Sequence, residues 1–99
     1  MNAQGGWYGN ALQAACSSGH MGVVELLVSK GAEVNAQGGF YGNALKAACD
    51  PGHKDVVVLL LEKEADVNAE GGNYGSALEI ANRRHKDIAK LLIAKGAKM

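Results

Sequence analysis

The chain says nearly the same thing three times, at a spacing of 33 residues. The segment NAQGGFYGNALKAACDPGHKDVVVLLLEKEA opens at Asn35, NAQGGWYGNALQAACSSGHMGVVELLVSKGA opens at Asn2, and NAEGGNYGSALEIANRRHKDIAKLLIAKGA opens at Asn68. A fixed period of roughly 20 to 50 residues marks a stacked array, whose units bury their apolar sides against one another rather than around one centre. The expected organisation is a single domain over residues 1–99, with repeats at 2–34, 35–67 and 68–99.

Each unit begins with a glycine-rich segment, at 3–9, 36–42 and 69–75. Paired glycines between short extended runs suit a tight hairpin turn, so a β-hairpin-like finger is expected at each. Phosphate binding does not fit, because no Lys-Ser or Lys-Thr follows the glycines. A short helix is then expected, with Asn10, Asn43 and Ser76 as N-caps accepting from free backbone amides. Three residues on stand Gln13, Lys46 and Glu79, so the first and third units carry a capping-box pattern and the second does not. Leu12, Leu45 and Leu78 are the expected core knobs among small neighbours.

SerSerGlyHis at 17–20 and AspProGlyHis at 50–53 read as turns, and second helices follow from about His20, His53 and His85. Val23, Val24, Leu26, Leu27 and Val28 recur as Val56, Val57, Leu59, Leu60 and Leu61, then as Ile88, Ala89, Leu91, Leu92 and Ile93. Those spacings make one broad buried stripe. Lys30, Lys63 and Lys95 suit the negative helix end, and Gly31 and Gly96 suit a left-handed C-cap. Glu64 stands where that glycine belongs, at an expected cost of about 1 kcal/mol. The third unit is one residue short between its helix start and its histidine, because the turn glycine is missing. A distorted turn is expected there, with Asn82 or Arg83 in unusual backbone angles.

Ten basic side chains balance ten acidic ones, so no global charge attracts nucleic acid or a membrane surface. The balance is uneven locally: the units sum to −1, −2 and +3, the last through Arg83, Arg84, Lys86, Lys90, Lys95 and Lys98 against Glu70, Glu79 and Asp87. No apolar run approaches the ~18 residues of a membrane helix, and no secretory signal is visible, so a cytoplasmic protein is expected. Cys16 and Cys49 occupy equivalent positions on helices expected roughly 8 to 10 Å apart, too far for a disulfide, and read as buried thiols in a reducing compartment. His20, His53 and His85 are likewise too far apart to share one metal ion and read as structural. No metal, cofactor or catalytic group is expected, since neither cysteine has a histidine in reach and no Ser-His-Asp arrangement emerges.

GlyHis at 19–20 and 52–53, the LeuLeu pairs of the second helices, and GluAlaAspValAsnAla at 64–69 together resemble the ankyrin repeat over essentially the whole chain. The resemblance implies an all-α solenoid of three helix-turn-helix units joined by hairpin-like loops. The sequence departs from the family where Thr-Pro-Leu-His is usual: AsnAlaLeuGln, AsnAlaLeuLys and SerAlaLeuGlu stand there. The TyrGlyAsnAlaLeu wording is similar to ankyrin arrays appended to fungal signalling ATPases.

The resemblance implies a protein-protein interaction module that holds partners with finger tips and the concave side of the first helices. Carried over by position, the candidates are Gln4, Trp7 and Tyr8; Gln37, Phe40 and Tyr41; and Glu70, Asn73 and Tyr74. The ends of the short helices add Ser17 and Ser18, Asp50, and Arg83 and Arg84. Trp7 and Phe40 are the strongest physical signal, since large aromatics on a glycine-rich tip suit interface anchors. The tyrosines, present in every unit, also suit a structural stacking role. The expected partner is a protein, with neither nucleic acid nor membrane. A second reading is a structural scaffold or a fragment of a longer array, natural or engineered, that associates weakly end to end.

Overall fold

A computed structural model describes residues 7–37, 42–68 and 76–97. Six helices follow in order: α1 (Trp7–Ser18), α2 (Met21–Ser29), α3 (Ala44–Cys49), α4 (Lys54–Glu62), α5 (Ala77–Arg84) and α6 (Lys86–Ala94). The described residues contain no strand. Each short inter-helix turn makes a pair, α1 with α2, α3 with α4 and α5 with α6. The first helices stack in series, α1 on α3 and α3 on α5, and α2 lies against α4.

Small side chains permit this close stacking. All six residues of α3 are buried, Ala44, Leu45, Lys46, Ala47, Ala48 and Cys49, because α1 covers one flank, α5 another and α4 a third. Leu12, Leu45 and Leu78 are the expected knobs, and the second helices add Val24, Val57, Leu60, Ile88 and Leu92 to one continuous core. Most of the stripe anticipated from spacings of three and four is the face that holds the array together. Val23, Leu26 and Ile93, expected in it, are exposed instead, because they lie on the two end pairs with no further pair beside them.

Helix ends follow the local chemistry in most places. Asn43 has extended backbone, and its side chain accepts from the amide of Lys46 at 2.9 Å. Ser76 and Glu79 close a full capping box, each side chain accepting from the other residue's amide. Gly31 and Gly96 adopt φ of 97° and 101° just past α2 and α6. Glu64, at the matching place after α4, is held at φ 67°, the one non-glycine in that region among the described residues.

Three expectations need correction. Asn10 is not an N-cap: α1 begins at Trp7, so the first unit's helix absorbs Trp7, Tyr8, Gly9 and Asn10 and no hairpin forms over 7–9. Gly42, which matches Gly9 in register, takes φ 99° and stops propagation into α3. Glycine permits either state. In the middle unit Gly42 and Asn43 are both buried, and the side chain of Asn43 caps the helix that starts after them. The capping box expected at Gln13 is absent too, because Asn10, its other half, lies inside α1 rather than at its start.

The third correction concerns the shortened turn. His20 donates its amide to Ala15, and His53 donates to Ala48, each at 3.1 Å and across five positions. His85 donates to the equivalent Ala81 at 2.7 Å across four. Removing one residue turns that bond into an ordinary helical one, so α5 runs on to Arg84. Asn82 and Arg83 keep negative φ, and no strain arises. The finger segments at 3–6, 38–41 and 69–75 lie outside the described residues.

Candidate functional site

The ends of the first helices are tied together by side chains from the following pair. Nε2 of His53 lies 3.2 Å from the carbonyl oxygen of Ser17, and Nε2 of His85 lies 3.1 Å from that of Asp50. A carbonyl can only accept, so each ring donates from Nε2. Space for the rings comes from the turn glycines. A Cβ on Gly19 would stand 2.6 to 2.8 Å from three atoms of the His53 ring, and Gly52 makes the same room for His85. Gly19 and Gly52 also hold φ of 75° and 86°, so both sterics and backbone angle demand glycine there.

A second set of bonds crosses each junction at the opposite ends of the second helices. Nδ2 of Asn35 donates to the carbonyl of Glu64, and Nδ2 of Asn68 donates to that of Gly96, both at 3.2 Å. Oδ1 of Asn35 also accepts from the amide of Asp66. Each asparagine stands at the head of a glycine-rich segment of the sequence.

The histidine ladder aligns the candidate residues of the helix ends. Ser17 and Asp50 are half-buried, and Ser18, Pro51, Arg83 and Arg84 are exposed. The row passes from hydroxyls through a carboxylate to two guanidinium groups, which can meet a partner by hydrogen bonds and charge. Gln37 is exposed at the start of the second finger segment. Trp7 and Tyr8 fall in the first turn of α1 rather than on a loop tip. Gln4, Phe40, Tyr41, Glu70, Asn73 and Tyr74 lie outside the described residues.

Sequence reasoning marked His53 and His85 as structural but gave neither their carbonyl partners nor the asparagine ladder. The recurrence of Asn2, Asn35 and Asn68 at one period was the available signal for the second. It also missed Lys46, which is 1% exposed in the middle of the array. Nothing about a lysine at N3 announces burial, since only the flanking repeats cover it.

Both cysteines are free and buried. Burial pushes each thiol up to about 12, and at Cys49 the charge of Asp50 adds to it. Neither is a thiolate at neutral pH, and so neither is poised as a nucleophile. Among the described residues no three His, Cys, Asp or Glu side chains gather as a metal site, and no helix is long and apolar enough to cross a membrane.

The family pattern described as "Ankyrin repeats" matches residues 12–99 in three copies. A stretch of 34 residues is 62% identical to the azaphilone pigments biosynthesis cluster protein L of Monascus ruber, and covers 34% of this chain but only 7% of that protein. That likeness has about the length of one unit. Ankyrin repeats are in general protein-protein interaction modules. Three stacked helix pairs, Gly-His turns and a match over nearly the whole length agree: the chain belongs to the ankyrin repeat family.

Proposed function

We propose that this chain binds another protein along the row of first-helix ends, Ser17 and Ser18, Asp50 and Pro51, Arg83 and Arg84, and onto the adjoining glycine-rich segments. The observation that carries this reading is the histidine ladder. By donating to Ser17 and Asp50, His53 and His85 hold successive helix ends at a fixed spacing. A rigid row loses little conformational freedom on binding, which favours recognition without chemistry. The charge along it asks for a partner with an acidic group opposite Arg83 and Arg84.

Affinity capture followed by direct titration tests the reading. The intact chain, the double variant Arg83→Ala with Arg84→Ala, and the outer-helix variant Lys90→Ala are compared against the same captured protein. The edge variant should bind at least about tenfold more weakly, or about 1.4 kcal/mol, and Lys90→Ala should bind like the intact chain. Equal binding by all three would remove the row from recognition.

A further inference from the structure

The first helix pair differs from the later ones in burial although it matches them in sequence. Val23 is 46% exposed, whereas Val56 and Ile88 at the same position are 0% and 1% exposed. Leu26 is 54% exposed, and its counterparts Leu59 and Leu91 are half-buried. His20 is exposed, while His53 and His85 each reach a carbonyl of the preceding pair. In the later pairs the covering unit is the one before. The face bearing Val23, Leu26 and His20 thus repeats, in register, a surface that is buried twice within the molecule.

We propose that this face seats a further helix pair of the same repeat type, whose inter-helix turn holds a left-handed glycine. The glycine is required because His20 needs the room that Gly19 gives His53 and Gly52 gives His85. The chain's own third pair does not meet the requirement. Its turn reads AsnArgArgHis over 82–85, every residue there carries a Cβ, and none has positive φ. A second copy therefore cannot seat His20 on this chain's C-terminal pair. The opposite net charges of the two end units draw copies together across only about 10 Å of screened water, and do nothing for a steric block at contact. Ile93, 51% exposed on α6, leaves an apolar spot at that end without the matching seat. The surface is distinct from the row of helix ends and the inference goes beyond it.

Sedimentation of the intact chain at two concentrations about a hundredfold apart should give one monomer mass. A glycine inserted between Arg84 and His85 restores the spacing of the other turns and should make the chain associate with itself as concentration rises. Val23→Asp in that variant should abolish the association. Growth of the unaltered chain, or a folded insertion variant that stays monomeric, overturns the proposal. If the insertion unfolds the chain, two tandem variants decide the matter. One carries a copy of residues 35–67 ahead of Asn2, and the other a copy of residues 68–99. The first should melt higher than the second by at least about 5 °C. Equal midpoints overturn the glycine requirement.

Discussion

The imidazole of His53 occupies the space that Gly19 leaves by having no side chain, and from there it reaches the carbonyl of Ser17, 36 positions earlier in the chain. Two residues from different units thus form one joint. Gly19→Ala meets both a positive φ and the ring, and should cost about 2 kcal/mol or more. Gly22→Ala, in the exposed part of α2 with nothing within 4 Å of its new methyl group, should stabilise by about 0.5 to 1 kcal/mol. Urea unfolding of the two variants checks the pair, and similar midpoints would discard the joint.

His53→Ala removes that bond and leaves a void between pairs, so a loss of about 1 to 2 kcal/mol is expected. His20→Ala should change stability by less than about 0.5 kcal/mol, because that ring is exposed. Thermal melts of both variants read the difference directly.

Glu64 holds a backbone angle that glycine adopts freely, and its side chain is exposed. Glu64→Gly should raise stability by about 0.5 to 1 kcal/mol, the left-handed penalty being partly offset by the freer unfolded chain. Gly31→Ala should lose about 1 kcal/mol from backbone angle alone, since nothing lies within 4 Å of the added methyl. A destabilised Glu64→Gly in chemical denaturation would mean the carboxylate does more than cover solvent.

The buried thiols make stability depend on alkaline pH. Their folded values near 12 exceed the ordinary 9.0, so the fold binds these protons more tightly than the open chain does. The contribution is complete below pH 9 and is lost as pH climbs toward 12. Replacing both residues, Cys16→Ala with Cys49→Ala, should flatten that fall relative to the parent chain. In native buffer a thiol reagent should label neither cysteine at the rate of the unfolded chain. Rapid labelling, with the helical signal intact, would place the sulfurs in contact with water.

Capping chemistry should differ between units. Asn43→Ala strips the amide of Lys46 of its acceptor inside a buried site and should cost about 1 to 2 kcal/mol. Ser76→Ala opens an exposed capping box and should cost about 1 kcal/mol or less. Circular dichroism during urea titration checks both, and a larger loss at Ser76 would reverse the ranking.

What the chain's own letters settled was whatever repeats locally. The period of 33 residues, the apolar stripe of the second helices and the left-handed ends at Gly31, Glu64 and Gly96 were all legible. The stripe and the helix ends depend on residues a few positions apart, and the period shows on laying the copies side by side. Of the candidate site, the helix ends Ser17, Ser18, Asp50, Arg83 and Arg84 came from the family resemblance carried over by position. The Gly-His turns were visible, but not the carbonyls that the His53 and His85 rings reach across the pairs. Tertiary structure alone decided whether Gly9 or Gly42 would stop a helix, how the turn before His85 absorbs its missing residue, and that Lys46 disappears from solvent while Val23 does not. The reason is common to all of these. Glycine and a short turn have several states of nearly equal local energy, and burial in a stack depends on which units lie alongside, so the choice falls to the neighbouring helix pairs.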